Sequence, residues 1–219
     1  MKKQNKKFFK VAIDSPAASG AGTLAKALSK HYNLAYLDTG KAYRLVAMYK
    51  LNNPKKFNLK FIKKKIKNLK IKDLNHKLLL SDEVGTEASI IAKNKRIRSL
   101  IHSFQINFAY NPPKKYHGSV LDGRDITYKI VPDADFKFFI TANVKTRAMR
   151  RYKELKELKK SVTYNEVLKT IKNRDKNDYN RKISPLKKTK DSMLINTTNL
   201  SKRACFLKIK KIIDRKINI

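Results

Sequence analysis

The sequence lacks most of the residues that mark secreted, membrane-spanning or zinc-binding proteins. Cys205 is its only cysteine, so no disulfide forms within the chain and a reducing, cytoplasmic compartment is expected. No stretch approaches 18 apolar residues, so no membrane-spanning helix is expected. The four histidines show no metal-ligand spacing, and zinc chemistry is not expected.

Acidic residues are also scarce. The chain has 53 Lys and Arg against 17 Asp and Glu, a formal net charge of +36. Such an excess can indicate nucleic-acid binding or a general compositional preference for lysine. The lysines are spread over the whole chain, with a dense run at 55–72, rather than forming a stripe with interleaved aromatic residues. We therefore favour the compositional interpretation, expect no nucleic-acid partner, and note that the positive field attracts anionic small substrates.

Hydrophobic residues make up 41% of the 219 residues, enough for one α/β domain. Short apolar runs predict five strands, and helical patterns separate them. The predicted strands are 8–13, 35–39, 119–123, 136–142 and 192–198. Alternation of this kind predicts an α/β fold with a five-stranded parallel sheet flanked by helices. Residues 87–110 are predicted to form one helix, and Ser201 is predicted to cap the last helix.

Three motifs follow predicted strands, where ligands bind in such sheets. The first is DSPAASGAGT (14–23), here termed the phosphate loop. Small residues and the following helix N-terminus suit anionic oxygens, and Thr23 supplies a hydroxyl for Mg²⁺ with its waters. Ala21 stands where such a loop usually has lysine, and Ser15 stands where it usually has its first glycine. If that first position needs a positive φ, serine adopts it poorly. From these residues alone, an ordinary small-residue turn remains an equal alternative.

Two further motifs at strand ends are LDTGKAYR (37–44) and DGRD (122–125). A later segment, RDKNDYNR (174–181), places Arg174, Asp178 and Arg181 on one helical face. That spacing is also typical of a surface helix held by ion pairs.

Taken in order, these motifs resemble the bacterial cytidylate kinases, P-loop nucleoside monophosphate kinases of pyrimidine metabolism. The segments EASIIAKNKRIR, VPDADFKFFITANVKTRAMRRYKEL and SPL extend the resemblance from about residue 9 to 213. The resemblance implies transfer of the ATP γ-phosphoryl group to CMP or dCMP, with Mg²⁺. It also implies a single kinase domain over 1–219, with its core at 8–54, 87–146 and 183–219, an NMP-binding insertion at 55–86 and a lid at 147–182. We expect nucleotides as partners and a monomer.

The resemblance implies a role for each matching residue. Those that hold the donor phosphates would be Ser15, Pro16, Ala17, Ala18, Ser19, Gly20, Ala21, Gly22 and Thr23. The catalytic residues would be Arg44, Arg124, Arg147, Arg151 and Arg181, with Arg150 beside them in the lid. The cytosine ring would be read by Thr39, Arg98 and Asp125, and the CMP phosphate held by Arg44, Arg124 and Arg181. The residues near the sugar would be Ser89, Arg174 and Asp178.

The chain departs from the family pattern at Ser15 and Ala21, and at Thr127 and Tyr128, where a Gly-Thr pair is usual. Two hypotheses follow. In the first, the protein is an active kinase and Lys41 replaces the lost lysine, although Lys41 could equally be one more solvated lysine. In the second, it is an impaired pseudokinase that binds CMP or has changed to RNA binding.

Overall fold

The fold is a parallel sheet covered by helices on both faces. The computed structural model describes residues 8–217, apart from the side chain of Asp82. Its strands are β1 (Phe9–Asp14), β2 (Ala35–Asp38), β3 (Gly118–Gly123), β4 (Phe136–Thr141) and β5 (Met193–Asn196). All pairings are parallel, in the order β2-β3-β1-β4-β5, which confirms the predicted fold class.

The three central strands, β1, β3 and β4, are mostly buried because helices cover both sides of the sheet there. The described α-helices are α1 (Ala21–Tyr32), α2 (Thr39–Asn52), α3 (Leu59–Lys67), α4 (Asp82–Ile91), α5 (Lys95–Tyr110), α6 (Val144–Glu157), α7 (Tyr164–Asn180) and α8 (Lys202–Ile217). One apolar core packs α2 to α5 against residues such as Ala12 and Leu121. The other packs α1 and α8 against Val11 and Ile13. Alternate residues of β1 therefore enter opposite cores.

Register places the polar motifs at one edge of the sheet. Asp14 at the end of β1 pairs with Gly123, and Asp38 at the end of β2 pairs with Asp122. The phosphate loop leaves the central strand, so the ends of β3 and β4 flank it. The three motifs that follow β1, β2 and β3 therefore meet in one crevice, as the sequence predicts.

The predicted single helix over 87–110 is wrong, because the structure has two helices there. Chain direction changes at Asn94, whose side-chain oxygen accepts hydrogen bonds from the backbone N–H groups of Arg96 (3.0 Å) and Ile97 (3.1 Å). Asparagine at this position offers the backbone an alternative to helical hydrogen bonds and caps α5. α4 therefore ends at Ile91 and α5 begins at Lys95.

Two other elements behave as their residues predict. Ser201 caps α8, since its hydroxyl accepts from the Ala204 N–H at 3.1 Å. In the insertion, Ile62 of α3 with Leu74 and Leu79 of the following short turns are buried against the core shared with α2 and α5. None of the helices within 8–217 is long and apolar enough to cross a membrane.

Candidate active site

The phosphate loop ends in the uncapped N-terminus of α1. Gly20 is the cap residue, with φ of 93°, and no side chain accepts a hydrogen bond from the first turn. No acidic residue lies in that turn. The first N–H groups of the helix are therefore open to an anion, which the helix dipole also favours.

Ser15 is not the strained position of the loop. It is buried, its N–H donates to the carbonyl of Gly123 at 3.1 Å, and its φ is not positive. The non-glycine residue of the loop that does adopt a left-handed conformation is Ala18, at φ of 58°. A Cβ there costs about 1–2 kcal/mol.

Replacing Ala18 with glycine is expected to raise the free energy of unfolding by about 0.5–1 kcal/mol, because relief of the left-handed strain exceeds the added entropy of the unfolded chain. Urea unfolding measures the change. Ala27→Gly, within α1, is the matched control and is expected to lower the same free energy by about 1 kcal/mol. Destabilisation by both substitutions would contradict the assignment of strain to Ala18.

Two arginines of α6, the buried Arg147 and the half-buried Arg150, hold the loop by its carbonyl groups. Arg147, 5% exposed, donates to the carbonyls of Ala17 (3.1 Å) and Ala142 (2.8 Å) and forms a two-bond ion pair with Asp175 of α7. Arg150 and Thr197 both donate to the carbonyl of Ser19, at 3.3 and 2.9 Å. Arg147 thus anchors the phosphate loop through the carbonyl group of Ala17. Contact of Arg147 with a phosphate group remains a prediction.

Ala21 and Lys41 occupy different surroundings. Ala21 is 4% exposed and packs in the core formed with α1 and α8. Lys41 is half-buried in the first turn of α2. Among residues 8–217, no hydrogen bond or ion pair joins Lys41 to the phosphate loop. Replacement of the missing lysine by Lys41 therefore remains a hypothesis.

A pair of carboxylates, missed in the sequence, lies beside the first turn of α1. Burial and, after it, the charge of the neighbouring Asp38 raise the pKa of Asp122 to about 8, against the opposing influence of Tyr36, Arg124 and Lys26. Its Oδ1 is buried without a described partner. A Cβ at Gly22 would lie 3.4 Å from Asp122 Oδ2, so the carboxylate adjoins the loop.

This arrangement fits Mg²⁺. The ion prefers carboxylate, hydroxyl and water oxygens, and a cation would relieve the unpaired oxygen of Asp122. Thr23 is exposed at the same helix end. A sequence signal for this pair exists: Asp38 and Asp122 each stand at the end of a predicted strand, and the two strands are neighbours in the sheet.

Stability of the ligand-free protein is expected to fall as pH rises from about 6.5 to 8.5. Asp122 has a folded pKa near 8 and an unfolded one of 3.8, so the folded state retains its proton while the unfolded state loses it. That advantage is complete below pH 4 and vanishes above 8. Asp14, whose burial raises its pKa to about 6, adds a similar slope at lower pH.

Asp122→Asn is expected to flatten this decline and to raise the melting temperature at pH 8.5 by several degrees. Thermal unfolding across pH 6.5–8.5 measures it. Glu157→Gln, at an exposed carboxylate of α6, should leave the decline unchanged. A slope that survives Asp122→Asn would assign it to another group.

Arginines converge on one carboxylate across the crevice. Arg124 Nε donates to Asp178 Oδ2 at 2.7 Å, and Arg181 Nη1 lies 3.7 Å from Asp178 Oδ1. The second amino group of Arg181, Nη2, is buried without a described partner. Burial and, after it, the charges of Arg124, Arg44 and Arg151 lower the pKa of Arg174 to about 10, against the opposing charge of Asp178. Such repulsion among arginines is relieved by an anion with several oxygens.

Arg44 and Ser89 lie at the insertion side of this cluster. Arg44 Nη1 donates to the carbonyls of Leu79 (2.7 Å) and Ser81 (3.1 Å). It passes Gly85 so closely that a Cβ there would lie 2.9 Å from Nη2. The Ser89 hydroxyl donates to the Gly85 carbonyl one turn before it, at 3.2 Å. Arg151, from the lid side, pairs with Glu154 at 3.0 Å.

A buried polar pocket adjoins the arginines. Arg98 and Asp125, 3% and 5% exposed, pair at 2.9 Å, and His102 Nε2 lies 3.2 Å from the same carboxylate oxygen. Burial raises the pKa of Asp125, but the His102 hydrogen bond and the Arg98 charge outweigh it and hold that pKa below its usual value. Arg98 stacks over Tyr43 at 5.0 Å, and the Tyr43 hydroxyl is buried without a described partner. The sequence motifs did not identify His102 and Tyr43 as residues of this site.

Thr39 directly follows the end of β2 and is buried. Its hydroxyl donates to the Asp122 carbonyl at 2.7 Å. Gly123 is required beside it, since a Cβ there would lie 2.3 Å from the Thr39 hydroxyl oxygen. The structure pairs Arg98 with Asp125 and places Thr39 beside Gly123, while the contact of these three residues with the cytosine ring stays a prediction.

Thr127 and Tyr128 have structural partners. The Thr127 hydroxyl and N–H donate to the buried Asp14 Oδ2 at 2.6 and 2.9 Å. The Tyr128 hydroxyl donates to the Pro185 carbonyl at 2.5 Å. These departures from the family pattern therefore tie β1 and the segment after α7 to the turn that follows Asp125.

Comparisons with known proteins agree on one family. A family model described as "Cytidylate kinase" matches residues 11–215. A cytidylate kinase of Bartonella tribocorum is 45% identical over 203 residues, 90% of this chain and 91% of that protein. One from Thermosipho melanesiensis is 39% identical over 220 residues, 96% and 99% of the two chains. The crystal structure of an uncharacterized protein from Eubacterium ventriosum shares the fold, with a TM-score of 0.55, 18% identity and coverage of 94% and 98%.

Proposed function

The chain belongs to the cytidylate kinase family, and we propose that the crevice described above carries out the reaction of these nucleoside monophosphate kinases. The γ-phosphoryl group of ATP is transferred to CMP or dCMP, which gives CDP or dCDP. The observation that carries the proposal is the excess of arginine around Asp178. Arg124 of this cluster feels the charge of Asp122, which adjoins the uncapped first turn of α1, so two anionic groups can approach each other.

The donor side is the phosphate loop. The N–H groups at the start of α1 bind the ATP phosphates, while Arg147, Arg150 and Thr197 hold the loop carbonyls away from them. Thr23 and Asp122 are the residues that would hold Mg²⁺. When bound there, the ion would supply positive charge to the phosphate oxygens.

The acceptor side is the arginine cluster with the buried pocket. Arg44, Arg124 and Arg181 bind the CMP phosphate, because planar guanidinium groups match its oxygens. Ser89, Arg174 and Asp178 lie near the sugar. In the pocket, Asp125 accepts a hydrogen bond from the cytosine amino group, and Arg98 donates towards the ring acceptors.

The reaction needs no covalent intermediate with the protein. Positioning of the two phosphates and neutralisation of their charge supply the catalysis, as a CMP oxygen attacks the γ-phosphorus in line. The α6–α7 pair, predicted as the lid at 147–182, packs on Ala17 of the loop through its own apolar cluster. Closure of this pair over the donor excludes water and suppresses ATP hydrolysis. The cytoplasmic location and monomeric state remain predictions.

The test is an ATP- and Mg²⁺-dependent assay with CMP, dCMP, UMP and AMP, read by CDP formation. We expect turnover with CMP and dCMP that exceeds turnover with AMP at least hundredfold. Calorimetry with CMP and Mg-ATP runs in parallel. CMP binding with neither ATP binding nor turnover would instead support the pseudokinase hypothesis, which the comparisons do not favour.

A further inference from the structure

His102 contacts a base-pocket residue although none of the roles proposed above uses it. It lies in α5 one turn after Arg98, and both side chains reach the same oxygen of Asp125. The Arg98 Nη1 distance to Asp125 Oδ2 is 2.9 Å, and the His102 Nε2 distance is 3.2 Å. The two nitrogens are themselves 3.4 Å apart.

The chemistry of the three groups assigns the proton on His102. An ionised carboxylate only accepts hydrogen bonds and a guanidinium only donates them. A bare Nε2 lone pair facing Asp125 at 3.2 Å would be repelled, so Nε2 carries hydrogen and donates. Asp125 Oδ2 then receives two donors, while Oδ1 receives none from residues 8–217.

Of the two side chains that contact Asp125 Oδ2, Arg98 is held in place by other contacts and, within residues 8–217, His102 is not. Arg98 is fixed, since its Nε donates to the Ala92 carbonyl at 3.0 Å and its guanidinium stacks on Tyr43. The charge of Arg181, which follows α7, also acts on Asp125, and the neutral hydroxyl of Tyr128 lies near enough for burial and the Asp125 charge to raise its pKa. A carboxylate held by one donor rotates about its side-chain bond, whereas two donors from different directions on one oxygen fix its plane.

We propose that His102 is a positioning residue for recognition of the base: with Arg98 it fixes Oδ2 of Asp125 and so directs Oδ1 towards the ligand. The inference rests on the proposed function, because the ligand group in question is the exocyclic amine of cytosine. An amine donates to Oδ1, while the carbonyl that uracil carries at that place is repelled. His102 thereby strengthens the preference for CMP over UMP.

The test compares His102→Leu and His102→Gln with the wild type in CMP and UMP kinetics. Loss of one hydrogen bond to a charged group is worth about tenfold. We expect His102→Leu to raise KM for CMP about tenfold, to change kcat less than about twofold, and to leave KM for UMP within about twofold. Gln presents an N–H donor at similar reach and is expected to restore KM for CMP to within about threefold.

Ser103→Leu introduces the same side chain on the exposed side of α5 and should behave as the wild type. If His102→Leu unfolds, His102→Asn replaces it, since its shorter amide does not reach Oδ2 and should lose the preference that Gln keeps. Unchanged CMP kinetics, or equal losses for CMP and UMP, would overturn the inference.

The two proposals fail in distinguishable ways. A wild type that forms no CDP contradicts the proposed function. The inference is then decided by calorimetric dissociation constants for CMP and UMP, where the same tenfold, CMP-specific loss is expected in His102→Leu.

Discussion

Arg124→Met is expected to lower kcat/KM for CMP by two to three orders of magnitude, or about 3–4 kcal/mol, the size of effect seen when one charge-stabilising donor is removed from an active site. Arg124 connects α7 to the end of β3. Its Nε is bonded to Asp178 and its Nη1 to the Gly123 carbonyl at 3.2 Å. No described bond uses Nη2, which leaves it for the ligand phosphate.

The fold should survive this substitution. Removal of one member of a buried ion pair is usually costly because the other charge is left alone. Asp178, however, keeps Arg181 at 3.7 Å and the charge of Arg174. Steady-state kinetics with saturating ATP measure the loss, and circular dichroism verifies folding.

Arg215→Met is the matched control for Arg124→Met. It removes the same charge from α8, which packs on the opposite core from the base pocket, and should change kcat/KM less than about twofold. A folded Arg124→Met variant with wild-type kcat/KM would contradict the assignment of this arginine to the CMP phosphate.

Ala21→Lys is expected to raise kcat by about a hundredfold, since one charge beside the transferring phosphoryl group is expected to contribute about 2–4 kcal/mol, the size of effect of one oxyanion-stabilising donor. The lysine stem would lie along the apolar cluster around Ala21 while its ammonium group reaches the loop mouth. Overpacking of that cluster should lower the free energy of unfolding by about 1–2 kcal/mol.

Two variants accompany Ala21→Lys. Ala27→Lys adds the same charge at a half-buried position further along α1 and should leave kcat within about twofold. Lys41→Ala is also expected to retain kcat within about twofold, because no contact joins Lys41 to the loop among the described residues. A tenfold loss in Lys41→Ala, together with no gain in Ala21→Lys, would instead show that Lys41 supplies the missing charge.

The sequence alone predicted the sheet and the edge at which the site lies. Strands buried on both faces must be apolar throughout, and small residues between a strand and a helix predict an anion-binding turn. Both signals are local, within about ten residues. The prediction of one helix over 87–110 was wrong because it too used only a local pattern. In the structure the side chain of Asn94 caps α5 and so separates it from α4.

Tertiary structure decided what each charged residue does, because the partners are far apart in the chain. Arg147 meets the carbonyl of Ala17 and so anchors the loop, which no local pattern distinguishes from an arginine that faces phosphate. Asp122 gains its raised pKa from burial beside Asp38, and Asp125 is fixed by His102 from α5. The sequence by itself determined the fold and the kind of ligand. Burial and long-range pairing determined which of its many cations remain for the nucleotide.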